Sequence, residues 1–419
     1  MKVVIQMNGI FIPGEILLPR VDDMSLWSVI ACDQFTSQPE YWAKVEELVG
    51  DSPSTLRLML PEAYLGLPDQ AERSRSILHT MDEYLKSGLF RTLEKSYVYV
   101  ERTLSGGKLR RGLLGLLDLE AYDYHEDSVS LVHATEGLVQ ERIPPRLALR
   151  READLESAHL VLFYDDPDFR IYTETVRNEG ELLYDFDLML GGGHLRGWRI
   201  SGEGADRLLG TLNRLADPGI LRAKYGDSAA PVLYAVGDGN HSLATAKQNW
   251  ERIRETLTPA QRERHPARYT LAELVDLHEP SIEFEPIHRV LFDTDEHAFL
   301  EEAACRFPDR ESAHPFRCLT AAGSATLSAQ GTIGQAIAAL DAFLLDYAHR
   351  HGGRIDYIHG MADAVALCSS PGRAALLMPE MNKRDLFPSI ITSGVLPKKS
   401  FSIGPALDKR YYLECRKIT

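Results

Sequence analysis

The chain has 419 residues, 44% of them hydrophobic and 26% charged, with a formal net charge of -15. That length supports one elaborated domain or two or three modest ones. The acidic balance opposes general affinity for nucleic acid or anionic membrane, so an anionic ligand has to be met by a local basic cluster. Cys32, Cys305, Cys318, Cys368 and Cys415 are widely spaced and form no CxxC pair, which argues against a zinc ribbon or disulfide scaffold and points to reduced thiols in the cytoplasm. The opening stretch MKVVIQMNGIFIPGEILLP is broken by Asn8, Gly9, Pro13 and Glu15, and reads as neither signal peptide nor membrane span.

Leu26–Ala31 resembles a short strand, which puts Cys32-Asp33-Gln34 at a strand end, a position that often lines sites. Without a local motif, Cys32 reads as a buried or bystander thiol rather than a nucleophile. A helix beginning near Thr36 or Ser37 carries Tyr41, Val45, Leu48 and Val49 on one side, and a second runs from Asp69 to Lys86, closed by Gly88. Tyr97–Arg102 and Arg111–Leu119 form a hairpin across Ser105-Gly106-Gly107. Next comes the densest basic run, with His133, Glu136, Glu141, Arg142, Arg146, Arg150 and Arg151; guanidinium groups bind phosphate bidentately, and Pro144-Pro145 argues against a uniform exposed helix. The His159–Tyr164 strand ends at Asp165-Asp166-Pro167-Asp168, which reads as a turn rather than a cation site. Leu182–Leu188 and Leu195–Ile200 form another hairpin, and a helix covers Ala205–Leu215. GGGHLRG and GEGADRLLG lack the dinucleotide spacing and no GxxxxGK[ST] loop exists, which disfavours Rossmann and P-loop enzymes.

Pro231–Lys247, PVLYAVGDGNHSLATAK, joins an apolar strand, a glycine turn and an amphipathic helix without a break. Val232–Val236 is the strand, and Leu243, Ala246, Trp250, Ile253 and Leu257 recur at helical spacing. Gly237 and Gly239 permit unusual backbone geometry, and a helix N-terminus favours an anion there. Asp238 and His241 add a general base, a metal ligand or hydrogen-bonding groups. The same turn can serve folding alone, with Asn240 or Ser242 capping the helix and Asp238 bonding nearby backbone.

Downstream, Thr258-Pro259 starts a short helix and Tyr269–Leu277 is a strand. His288-Arg289 can hold an anion or a carboxylate. Helices follow around Phe299, Ala303 and Cys305 and over Ile333–Tyr347, then strands near Arg354–His359, Ala364–Cys368 and Ala374–Met378. In the tail, Lys398 and Lys399 can neutralise phosphate, and Tyr411, Leu413 and Cys415 alternate as a strand that returns to a sheet. Three regions are expected, 1–95, 96–292 with the GDGNH turn, and 293–419, in an α/β or α+β fold of mixed sheets flanked by helices.

HATEG with its arginine run, GDGNHSLATA, EPIHR, DYIHG and LPKKSFSIGPALDKRYYLE together resemble the bacterial and archaeal family known as domain of unknown function 1015, from about Ala31 to the C-terminus. The central motif of that family, typically DGHHR, looks like the turn of the ParB-like nucleotide-binding superfamily, which includes CTP-dependent partition proteins and a free serine kinase that uses ADP. Here Asp238, Gly239 and His241 match, Asn240 replaces the first histidine, and Ser242 stands where arginine is typical. The resemblance implies a ParB-like nucleotide-binding core with large elaborations, and an association with serine metabolism.

The reading is a small-molecule phosphotransferase acting on a hydroxyl, such as that of serine or a related metabolite, with a nucleotide (ADP, ATP or CTP) or polyphosphate donor and Mg²⁺. Glu136 or Asp238 is the expected base, and His241 polarises the transferring group or supports the metal. Gly237, Gly239, Asn240, Ser242, Arg142, Arg146, His288, Arg289, Lys398 and Lys399 are expected around the phosphates. The alternatives are a nucleotide-responsive binding module and a metal-dependent hydrolase drawing on His133, Asp238, His241, His288 and His359. The expected partner is a phosphorylated small molecule, not nucleic acid or membrane.

Overall fold

A computed structural model of the protein describes residues 9–125, 128–138, 143–174, 180–227, 231–311 and 314–419. Two compact units result: Met1–Ala134, Leu138–Ser281 and Pro405–Thr419 make the first, and Thr135–Gly137 with Ile282–Gly404 the second. Each is mixed α/β, with sheet strands flanked by helices. Among the described residues no helix is long and apolar enough to cross a membrane.

The first unit is built on a 13-stranded mixed sheet. Phe90–Thr103 and Leu109–Asp118 form its long antiparallel hairpin, extending the shorter strands expected from the sequence. Tyr269–Asp276 pairs antiparallel with Leu109–Asp118, and Val161–Tyr164 runs parallel to it in turn. Tyr234–Asp238 then pairs antiparallel with Val161–Tyr164 and parallel with Val132–His133. On the other flank, Gly14–Pro19, Cys415–Lys417 and Leu155–Ser157 continue the sheet, so the tail does return to it.

Both faces of this sheet are covered, which explains its nearly continuous apolar strands. Side chains alternate between faces along a strand. Val98 and Val100 accordingly pack with Trp27, Trp42 and Leu114, whereas Tyr97 and Tyr99 pack with Phe11, Leu162, Tyr234 and Trp250.

Two helices correct the sequence reading. Pro39–Val49 buries Trp42, Val45 and Val49 and leaves Leu48 48% exposed, so its inner face is rotated from the one expected. Ile143–Glu152 is a continuous helix through Pro144 and Pro145. Both prolines sit in the first turn, where backbone N–H groups have no intrahelical acceptor to lose.

The tail is pinned by buried arginines. Arg102 donates to the carbonyls of Leu407 at 2.6 Å and Asp408 at 3.2 Å, and also to that of Lys409. Arg110 adds a bond to the Asp408 carbonyl at 2.8 Å. Arg410 pairs with Glu273 at 2.8 Å and Glu414 at 2.6 Å.

In the second unit the six strands pair antiparallel throughout. Phe284–Phe292 lies beside Arg354–His359, Arg373–Leu377 and Phe401–Ile403, and the hairpin His314–Thr320/Gly323–Ala329 joins through Arg373–Leu377. Ala364–Cys368, expected as a strand, instead falls at the helix Met361–Leu367 and its C-cap. Ala364 and Cys368, four residues apart, share one helix face and pack with Val290, Ala375 and Leu377.

Candidate functional site

Tyr234–Asp238 passes into the helix Asn240–Arg254 through Gly239. Gly239 is the N-cap at φ 87° and ψ 25°, a left-handed conformation natural to glycine, and no side chain caps the helix. Asn240 is therefore the first helical residue, not the cap. At Gly237 a Cβ would come within 2.6 Å of the Phe163 ring. The register against Val161–Tyr164 shifts between Val236 and Asp238, a bulge of the kind that re-aims a side chain.

Five other segments of the first unit meet this turn. Asp33 follows the strand Val29–Ile30, and Glu62 opens a 3-10 turn whose N–H donates to the Cys32 carbonyl at 2.7 Å. Arg146 comes from the helix Ile143–Glu152, buried His159 immediately precedes the strand Val161–Tyr164, and Lys409 stands just before the strand Tyr411–Tyr412. Arg146 donates from Nη1 to Ser242 Oγ at 2.8 Å and from Nη2 to Glu62 Oε1. His159 Nε2 lies 3.0 Å from the same Ser242 oxygen, with the hydroxyl as donor when the imidazole is neutral. The Tyr412 ring meets His159 edge-on at 5.2 Å, and its hydroxyl donates to Cys32 Sγ at 3.2 Å.

Asp238 Oδ1 accepts from the Gly239 N–H at 3.0 Å, whereas Oδ2 is buried without a hydrogen-bond partner and has Lys409 Nζ at 3.9 Å. Burial, reinforced by the charge of Asp33, raises the pKa of Asp238 against the opposing pull of Lys409 and His159. For Asp33, burial also pushes upward, but His159, Arg146, a hydrogen bond from Gln34 and Lys409 outweigh it and hold the group below its ordinary value. Burial and Arg146 lower His159 although Asp33 and Asp238 oppose them. Burial pushes the Cys32 thiol up to about 11, which leaves it a poor nucleophile at neutral pH. The result is two neighbouring carboxylates driven apart in proton affinity beside an imidazole, the condition that lets one site hold both an acid and a base.

A pocket of about 170 Å³ opens on this cluster. Cys32, Glu62, Arg146, His159, Ser242 and Tyr412 line it, Ser74, Arg150, Glu156, Ser157, Thr245 and Thr270 add further polar groups, and leucine, methionine, alanine and proline side chains make up its apolar lining.

Of the residues singled out in the sequence, Gly237, Asp238, Gly239, Asn240, His241 and Ser242 share the turn, and Arg146 joins them through Ser242. The His241 carbonyl accepts from Thr245 Oγ1 at 2.7 Å. Arg142 lies outside the described residues. Glu136, His288, Arg289, Lys398 and Lys399 belong to the second unit. There Glu136 forms a parallel bridge with Leu396, and buried His288 accepts from the Met378 N–H at 3.1 Å through Nδ1. Arg289 is 1% exposed and forks onto Asp341 at 2.7 and 2.9 Å, with further bonds to the Ile287 and Lys399 carbonyls, so its guanidinium works in the packing of that unit. Lys398 and Lys399 are exposed, and Lys399 Nζ lies 5.1 Å from the Tyr357 ring centre. Among the described residues no three His, Cys, Asp or Glu side chains group as a metal-binding cluster. Sequence reasoning did not assign roles to Asp33, Glu62, His159, Lys409 or Tyr412; for Asp33 a signal existed in its strand-end position.

Fold and site together define a mixed α/β protein with a pocket beside a carboxylate, imidazole and guanidinium cluster. The family model described as "Protein of unknown function (DUF1015)" matches residues 16–343, and the chain belongs to that family. A comparison with curated proteins finds no match. Among solved structures, a conserved hypothetical protein from Pyrococcus furiosus is similar at 10% identity and TM-score 0.33, covering 72% of this chain and 94% of the other. A C-terminally truncated SbnI from Staphylococcus aureus is similar at 10% identity and TM-score 0.35, covering 70% and 83%. A variant of free serine kinase in complex with ADP is similar at 10% identity and TM-score 0.38, covering 73% and 91%. At these scores the likeness carries nothing about the chemistry of this chain.

Proposed function

We propose that the chain is a small-molecule phosphotransferase that moves a phosphoryl group from a nucleotide to a hydroxyl. One observation carries the reading: Asp238, with a raised pKa and an unbonded buried oxygen, faces Asp33, with a lowered one, where a helix N-terminus, Arg146 and Lys409 concentrate positive potential. Phosphoryl transfer asks a protein chiefly for positioning and charge neutralisation, and both are supplied from side chains of one unit. In this reading Asp238 accepts the hydroxyl proton, Lys409 and the first-turn N–H groups of Asn240–Arg254 meet phosphate oxygens, and Glu62 orients Arg146. A Mg²⁺ ion brought with the nucleotide would find the Asp33 carboxylate and take its other ligands from phosphate and water. It would supply charge neutralisation on the phosphates. The likeness of the GDGNH turn to the ParB-like nucleotide-binding turn supports a nucleotide donor, and serine or a related metabolite is the first acceptor to test.

A second reading, a nucleotide-responsive binding module, is favoured by the engagement of Arg146 with both Glu62 and Ser242, which builds the guanidinium into the wall. Supplying the purified protein with ADP, ATP, CTP or polyphosphate plus serine, and following phosphorylated product, separates the two. Turnover that disappears in Asp238→Asn supports transfer. Tight nucleotide binding by folded protein, without transfer or hydrolysis under any donor, supports the module.

A further inference from the structure

The pocket beside the cluster presents more apolar surface than serine can cover. Leu58, Leu60, Met81, Leu149, Leu243 and Leu271 are among its apolar lining, and Arg150 and Glu156, which also border it, are paired with each other. Its volume is about 170 Å³; a leucine-lined cavity of about 150 Å³ takes up a benzene ring. A serine-sized ligand would leave that surface facing water and gain nothing from it, since the driving force scales with apolar area removed from solvent.

We infer that the acceptor carries, besides its hydroxyl, a hydrocarbon portion of about six to eight non-hydrogen atoms, and is not a small polar hydroxy amino acid. The chemistry of this acceptor rests on the phosphotransferase reading, whereas its hydrocarbon portion rests on the pocket. The hydroxyl lies at the polar groups Ser242 and His159, and the hydrocarbon lies against the leucine and methionine side chains of the lining. Amphipathic pockets with a few placed polar groups are the usual form of a small-molecule site.

Homologous primary alcohols from ethanol to octanol test this by calorimetry on the full chain without nucleotide. Each added methylene is expected to tighten binding about fourfold until the cavity is full near six carbons, and then to add little. Leu149→Trp, which fills the pocket from a half-buried helix position, is expected to flatten the series; Leu60→Phe repeats the test if the first variant misfolds. No dependence on chain length, or a dependence that survives both fillings, overturns the inference. The same alcohols are then offered with nucleotide. A steep binding series without phosphorylation keeps the ligand class and removes the phosphotransferase. Phosphorylation of serine at the rate of hexanol, with a flat binding series, keeps the phosphotransferase and removes the ligand class.

Discussion

Replacing Arg146 by methionine tests how the site is held. The guanidinium is 15% exposed and its partner Glu62 7%, so Arg146→Met removes one member of a nearly buried ion pair and takes from Ser242 Oγ its guanidinium donor. Removing one member of a buried ion pair costs about 3–5 kcal/mol, and the residual exposure trims this to an expected loss of about 2–4 kcal/mol. All four tryptophans, Trp27, Trp42, Trp198 and Trp250, lie in the first unit, so their emission during urea unfolding follows that unit alone. A loss of about 3 kcal/mol at a slope of about 3 kcal/mol per molar corresponds to a midpoint lower by about 1 M urea. Adding Glu62→Leu removes the other member of the pair, so the double variant is expected to lose less than the sum of the two single costs. The same substitution removes a charge that lowers His159, whose pKa therefore rises in an NMR titration. A single-variant loss below about 0.5 kcal/mol, or simple additivity in the double variant, would refute the reasoning.

Asp276 is fully buried, Oδ2 has no hydrogen-bond partner, and burial raises its pKa to about 7. The unfolded group loses its proton near pH 4, so wild-type stability falls as pH rises from about 4 to about 7; Asp276→Asn is expected to gain on the order of 2 kcal/mol over wild type above pH 7 and little at pH 4, read by denaturant titration at both. Burial lowers His159, so the first unit is expected to lose stability as pH falls below about 6.5, and that part of the loss should vanish in His159→Gln; an unchanged acid limb would contradict the assignment. Gly239→Ala is expected to cost about 1–2 kcal/mol in thermal unfolding, because φ is 87° and the new Cβ meets Leu160 Cα at 3.3 Å.

Sequence periodicity was sufficient wherever local pattern decides structure. The strand before the glycine turn, the helix starting near His241 and the hairpin of Tyr97–Arg102 with Arg111–Leu119 were visible because apolar spacing and glycine turns specify them locally. Pro144-Pro145 misled because proline breaks a helix interior but suits a first turn, and no cap signal upstream showed which applied. Ala364–Cys368 misled because a short apolar run fits either a strand or a buried helix face. The site itself was half legible. Asp238 and Ser242 share one turn, but Asp33, Glu62, His159 and Lys409 reach it from segments far apart in the chain, brought there by strand pairing, by the Glu62 N–H bond to Cys32 and by the clamp of Arg102 and Arg110 on the tail. The arginine and lysine candidates illustrate the converse. Arg289 has the residue type that binds anions, yet its strand turns it onto Asp341, a contact invisible in the sequence.

Whether the turn holds both an acid and a base depends on the divided proton affinities of Asp33 and Asp238. With aspartate side-chain carbons labelled by ¹³C and assigned through Asp33→Asn and Asp238→Asn, an NMR titration of the ligand-free protein should show Asp238 losing its proton above the ordinary aspartate range and Asp33 below it. Both groups titrating together near pH 4, with the fold intact, would contradict it.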